Sequence, residues 1–410
     1  MQKILLLIAS LFYFNFILAE NEIKSWQGIH ETPLSRLEQQ FAEPPVEFAN
    51  HVIWGWEGKM DKKTICNDLD SIKKKGFRAV IFEAGYKLPF KYLSEEWFKA
   101  IRTGVLEAKK RGMKVWIIDE GKYPSGFAGG KFSQERPDLR MQALVIGDTI
   151  QIKRGEVMTN HKIAPEIISA VAVSTSGAPN RTVEINNGKI SFNAGLDDWK
   201  ILLVKSDFRT AVTRAVNNPN GGKDATNSLC DYLNPVAVQQ FIDWTHKQYK
   251  KYLGKELGTT VLGFRGDEPD YAHLPWTPSI VQTFKDTKGY DPTPYLASFF
   301  TASPTIQEQR VKADYWDVWS SLFATHFFKL QADWCAANGV AHITHLNKEH
   351  EMPACVKAEG DYFRALSKVQ IPGVDAIWNQ IWPSTLNDFP KLASSVAHVY
   401  GKPRAFSESF

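Results

Sequence analysis

Two glutamates, Glu268 and Glu408, are the side chains whose type and placement most plainly serve chemistry. Each stands at the end of a short apolar run, and paired carboxylates facing each other across a cleft can act as acid and base on a glycosidic bond. Other polar and aromatic residues end the remaining runs: Trp54 and Trp56, Glu83, Asp119 and Glu120, Asp267, the alternating His345, Asn347 and Glu349, and Trp378. With Tyr123 from the loop that follows Glu120, they are the expected substrate-binding set. A lining of carboxylates, amides and indoles with few basic groups suits a neutral, hydroxyl-rich ligand. Asp267 is expected to face away from Glu268 and brace it, by the alternation of side chains along a strand.

The elements that must position these residues follow from hydrophobic periodicity. Residues 52–56, 77–82, 113–118, 260–264, 341–346, 374–378 and 404–407 read as seven buried strands. Helical periodicity covers 61–74, 95–111, 235–253, 313–337 and 386–399. In the fourth helix Trp316, Trp319, Phe323, Phe327, Leu330 and Trp334 form one apolar stripe, read as packing surface. Repeated strand-then-helix order with strands apolar throughout implies a parallel sheet covered on both faces. The fold class is therefore α/β, a (β/α)8 TIM-barrel-like fold incomplete at its C-terminus, because an eighth strand is missing. Between them the period changes to two, with strands expected over 145–152, 170–173, 182–185 and 201–204. The expected division is 1–19 signal peptide, 20–142 first part of the barrel, 143–206 β-rich insertion and 207–410 second part of the barrel.

Composition narrows the classes. The 410 residues are 43% hydrophobic and 23% charged, near the globular average, with a formal net charge of only +4 that gives no reason to expect a nucleic-acid partner. The basic run Lys73, Lys74 and Lys75 fits a solvated last turn of a helix. Cys66, Cys230, Cys335 and Cys355 lie far apart without CxxC spacing, so neither a disulfide framework nor a zinc finger is indicated. Lys3, an apolar run over 4–18, Ala19 and then Glu20 match a cleavable export signal, which implies a periplasmic or secreted protein without stable membrane insertion. The glycine-rich segment 119–130 fails the P-loop pattern, because Lys131 is followed by Phe132, and no strand carries a dinucleotide fingerprint. No nucleotide cofactor is expected. His342, His345 and His350 lack HExxH spacing, and a strand would put His342 and His345 on opposite faces.

Several motifs resemble a known family. Tyr123, Pro124, Ser125 and Gly126 precede Ala128, Gly129 and Gly130, then Arg136 and Pro137; Asp267, Glu268 and Pro269 are followed by residues 274–278 and 289–291. Segments 360–364, 371–375, 395–401 and 407–408 agree in type and order, so the likeness spans most of the chain. The pattern is similar to the α-L-rhamnosidases of glycoside hydrolase family 106. That resemblance implies an inverting hydrolase acting on an oligo- or polysaccharide, with Glu268 in the place of the acid, Glu408 in that of the base, and a bound calcium ion (Ca2+) for which Glu349 is a candidate ligand. Two alternatives stay open: a non-catalytic carbohydrate-binding remnant, and a retaining barrel glycosidase. A carboxyl separation of roughly 5 Å would favour retention and roughly 6.5–9.5 Å inversion.

Overall fold

The computed structural model describes residues 27–28 and 33–409, apart from 122, 210–212, 215–222, 225–227, 272–273, 378–379, 382–383 and 385–386, and apart from the side chains at 47, 213–214 and 223–224. The expected signal segment 1–19 and Trp378 lie outside the described residues.

Seven strands form one parallel sheet in which spatial order equals chain order: β1 (His51–Trp56), β2 (Ala79–Ala84), β3 (Lys114–Ile118), β4 (Val261–Asp267), β5 (Ala341–His345), β6 (Ile371–Asp375) and β7 (Phe406–Glu408). The sheet curls into a half-barrel. Helices return the chain between strands, as parallel pairing requires. Lys62–Lys74 begins where the Asp61 carboxylate accepts the Thr64 N–H at 2.9 Å, and Glu95–Lys110 begins where Ser94 caps Trp97. Lys73 and Lys74 sit in the last turn of the first of these helices.

Alternation along the strands sorts side chains into two layers. Ile81, Trp116, Ile118, Ala341, Ile343 and Ile371 pack together on the concave face, joined by Phe406. Val80, Phe82, Val115 and Phe264 face outward and pack under Trp97, Ile101 and Tyr249 of the helices. In β4 the register slips between Val261 and Gly263, a bulge that brings Gly263 against the concave Trp116 and fixes the phase of everything that follows. Gly263 has no room for a side chain, since a Cβ there would lie 1.9 Å from the Ala341 carbonyl oxygen.

The expected single helices at 235–253 and 313–337 are both interrupted. The first breaks at Thr245, whose Oγ1 donates to the Phe241 carbonyl at 2.7 Å, giving Pro235–Trp244 and His246–Leu253. The second starts earlier, at Ile306 behind a Thr305/Glu308 capping box, and passes through a π-helical turn at Phe323–Phe328 before Lys329–Ala337. After β3 the chain builds a five-stranded antiparallel sheet in the order Pro275–Trp276, Gln142–Ile152, Trp199–Phe208, Ile167–Ser174, Arg181–Thr182. A further ladder pairs Val157–Lys162 with Lys189–Asn193, and both cover a core containing Ile152, Phe192, Trp199 and Leu203.

Candidate active site

Because the bulge sets its phase, β4 directs Arg265 and then Asp267 toward the concave face. Arg265 is 2% exposed, and its Nη2 donates to Glu408 Oε2, lies 3.0 Å from His345 Nε2 and 3.7 Å from Asp267 Oδ1. His345, equally sealed, holds its Nε2 3.2 Å from both Asp267 Oδ1 and Glu408 Oε2, while its Nδ1 faces the Leu346 carbonyl at 3.2 Å. Burial opposes a charged imidazole, yet the bonds to Asp267 and Glu408 outweigh it and hold the His345 pKa well above its ordinary value. Two cations thus face two carboxylates, an arrangement that satisfies each buried charge. Burial would push the Glu408 carboxyl up, but the His345 bond and the Arg265 charge win and hold it below the usual glutamate range.

Glu268 meets a different environment. It sits at φ +38°, a left-handed conformation that a non-glycine residue rarely holds, immediately after β4. Its carboxylate, His345 and Asp375 of β6 bring donor atoms within 4.8 Å of one another. Burial, opposed by His345 and reinforced by Asp267, Asp375 and Glu349, pushes the Glu268 carboxyl up to about 8. Asp375, 3% exposed, is likewise raised by burial, with His345 opposing and Glu408 reinforcing, and it shares a hydrogen bond with Glu268. Near neutral pH the Glu268–Asp375 pair retains a carboxyl proton, whereas Glu408 has released its own to stand beside two cations.

Other expected residues divide into those at the mouth and those elsewhere. Asn347 Nδ2 bridges Tyr123 Oη at 3.2 Å and Asp270 Oδ2 at 3.1 Å, tying the β3 and β5 loops together. Glu83 lies on the concave side of β2, where its charge acts on Arg265. Glu349 is 2% exposed, accepts the Leu346 N–H at 2.8 Å, and is pushed by burial to about 7.

Four expectations are corrected. Trp54 and Trp56 point outward, not into the mouth: Trp56 is fully buried 5.7 Å from the Trp97 ring, and Trp54 packs 5.3 Å from Trp56. Asp119 is fully buried, accepting from Ser125 Oγ at 2.7 Å, and the same Ser125 oxygen accepts the Asp267 N–H at 2.6 Å. Glu120, 1% exposed, is folded back on the glycine-rich loop, where it accepts the N–H groups of Gly121 at 2.6 Å, Gly129 at 3.0 Å and Ala128. Asp119 and Glu120 therefore brace the loop. Asp267 does not face away from Glu268; both reach His345, because the left-handed turn at Glu268 folds it back over the same mouth. The expectation of few basic groups also missed Arg265, which shares its parity with Asp267.

Two groups among the described residues could bring donors to one ion: Asp267, His345 and Glu408, and Glu268, His345 and Asp375. Calcium takes about six to eight oxygen ligands. Both groups share an imidazole, and in the first the Arg265 guanidinium already bonds Glu408. Glu349 has one oxygen engaged with the Leu346 N–H, and it belongs to neither group. This donor set does not fit calcium. Outside the mouth, two clefts of about 400 and 370 Å³ open between helices on either side of the Asp317–Arg364 ion pair; no mouth residue lines them.

An α/β half-barrel whose strand ends converge on carboxylates in two protonation environments is consistent with a barrel-like glycosidase. Comparison with known proteins agrees: the family model described as alpha-L-rhamnosidase matches residues 156–410, and the chain belongs to that family, glycoside hydrolase family 106. A Formosa agariphila protein provisionally named a beta-glucuronidase is 24% identical over 433 residues, covering 92% of this chain and 35% of that protein. The solved structure of a rhamnosidase from Novosphingobium sp. PP1Y superposes with a TM-score of 0.65 at 15% identity, over 92% of this chain and 53% of that one. The chain thus spans about a third and about half of the lengths of these two relatives.

Proposed function

We propose that the mouth hydrolyses a glycosidic bond in an oligo- or polysaccharide, at an α-L-rhamnosyl linkage, with Glu268 as general acid and Glu408 as general base. The observation that carries this reading is the opposed tuning of the two carboxyls: Glu268 is raised to about 8 and Glu408 is held below its ordinary range. An acid must hold its proton and a base must have lost one at the same pH, and environments that drive two carboxyls apart assign the roles. Inversion, with Glu408 directing a water, and a (β/α)8 barrel as the full fold are the finer parts of the proposal. The family match supports the sugar class.

The relative's provisional name raises a uronic acid as a second reading. The mouth speaks against it. Glu83, Asp267, Glu268, Asp375 and Glu408 surround it, and Arg265 and His345, at 2% and 1% exposure, are already engaged by Asp267 and Glu408. A carboxylated sugar would meet net negative potential there. We also infer export, on the pattern in residues 1–19; among the described residues no helix is long and apolar enough to cross a membrane. N-terminal sequencing of the mature protein tests the cut before Glu20.

A panel of aryl glycosides that includes α-L-rhamnoside and β-glucuronide tests the function. Turnover of the rhamnoside, lost in both Glu268→Gln and Glu408→Gln while the fold is kept, is the expected result. Turnover that survives in either variant would overturn the assignment.

A further inference from the structure

We propose that the Arg265 guanidinium is the fixed cation of this mouth, standing where a divalent ion would otherwise sit between Asp267 and Glu408, and acting as the positioning residue that keeps Glu408 oriented and ionised. The inference rests on the reading of Glu408 as the base.

The geometry carries it. Arg265 is delivered by β4, not by a mobile loop, and the bulge at Val261–Gly263 aims it at the concave face. Nη2 reaches both carboxylates, Glu408 on β7 by a direct hydrogen bond and Asp267 on its own strand at 3.7 Å, and lies 3.0 Å from His345 Nε2 on β5, a second cation that it does not bond once the imidazole is charged. A metal ion bound by carboxylates does two things, neutralising them and fixing their rotamers. The planar, permanently charged guanidinium does both without an ion-binding equilibrium. Its own strand is held in place, since the Arg265 carbonyl accepts the Asp119 N–H at 2.9 Å and the Asp267 N–H donates to Ser125 Oγ.

The other charged groups around Glu408 make the need plain. Asp267 from β4 and Asp375 from β6 act on Glu408 itself, Glu83 from β2 and Asp119 from β3 act on Arg265, and Glu268 stands at the rim. Against them stand Arg265 and His345; His51 of β1, facing Arg265, is held neutral by burial. With Arg265 absent, one imidazolium would face two ionised carboxylates amid further acids, and Glu408 would take up a proton. An ion entering the Asp267–His345–Glu408 group would have to displace a side chain that is almost wholly buried.

The test uses the full chain and two readouts that involve no turnover, so a protein that cleaved no aryl glycoside would leave it intact, and a failure here would leave the glycosidase assignment standing. First, the chelator-treated protein is titrated with calcium chloride by calorimetry, alongside Glu408→Gln. The expected result is no calcium site that depends on Glu408; saturable binding by the wild type that disappears in Glu408→Gln would overturn the proposal. Second, the Glu408 carboxyl, assigned by its loss in Glu408→Gln, is followed by carbon NMR against pH. In Arg265→Met its midpoint is expected to rise by about one to three pH units, the effect of removing an adjacent cation, with Arg265→Lys restoring most of the wild-type value. An unmoved midpoint in Arg265→Met would overturn the proposal. Should Arg265→Met fail to fold, Arg265→Lys and the calcium titration of the wild type decide it.

Discussion

Two sets of carboxylates, one buried and one mostly half-buried, stand one loop apart at the carboxyl end of the sheet, and different partners satisfy them. Asp119 and Glu120 are met by a hydroxyl and by three backbone N–H groups. Asp267, Glu268, Asp375 and Glu408 are met chiefly by one another, by His345 and by Arg265. Backbone donors cannot change charge, so the first set fixes shape. The second set shares protons and charges that move with pH and with a bound ligand, so it can perform chemistry. Burial raises Glu120 and Glu268 alike, each to about 8, so the carboxyl's own affinity for its proton does not separate them; the identity of the partner does.

Perturbations that treat the two sets alike would break this comparison. The largest expected effect is kinetic. Glu268→Gln and Glu408→Gln should each lower turnover by about 10²- to 10⁴-fold; by scanning calorimetry the melting temperature should be nearly unchanged at acid pH in Glu268→Gln and lowered in Glu408→Gln, which leaves the Arg265 and His345 charges short of a counter-charge. In the wild type, turnover should decline as pH rises through about 8, where Glu268 loses its proton. The alkaline limb of the rate profile reads this directly.

Next comes Glu120→Ala, which strands the backbone donors of Gly121 and Ala128 in the interior and releases that of the exposed Gly129. A loss of about 3 kcal/mol or more in urea unfolding is expected, from the cost of leaving buried donors unpaired. Ser125→Ala cuts the link between Asp119 and the Asp267 N–H, and should lower stability by about 1–2 kcal/mol. Turnover should fall less than in either glutamate variant. If Ser125→Ala abolished turnover while leaving stability intact, the division between the two sets would fail.

The gentlest perturbation is pH itself. Asp119 and Glu349 are raised by burial to about 7, and Glu120 and Glu268 to about 8. Between the ordinary carboxyl range and these values the folded chain keeps protons that the unfolded chain has released. Their contribution to stability is full at acid pH and is lost as pH rises through about 7 and 8, so melting temperature should decline from about pH 5 to about pH 9. Glu408 acts in the opposite sense: its contribution is present above the ordinary glutamate value and lost as pH falls through its lowered one. Glu268→Gln should flatten the alkaline decline.

Most of the half-barrel was legible in the sequence because buried parallel strands are short apolar runs, and the runs at 52–56, 113–118 and 341–346 match β1, β3 and β5 within a residue. The run expected at 374–378 lay three residues late. Pro372 and Gly373 disguise the start of β6, since both are unusual inside a strand, and Asp375 was thereby missed as a strand-end acid. Glu268 and Glu408, both beside His345 at the mouth, were expected there by type and position. Arg265 was not, because a lone arginine between apolar residues gives no sign of its partners, although its parity with Asp267 was available. The bulge and the left-handed turn at Glu268 have no local signature; both depend on how β3 and β5 pack against β4. Trp54 and Trp56 misled because alternation says that two residues share a face without saying which face is concave.

The pairing of Pro275–Trp276 with Gln142 and Ala143 has a mechanical corollary. A segment that begins only seven residues beyond Glu268 is stitched to the antiparallel layer, so that layer is anchored close to the end of β4. The antiparallel sheet and the strand-end carboxylates are therefore joined through one short stretch of backbone, a covalent tie that a loosely tethered appendage would lack.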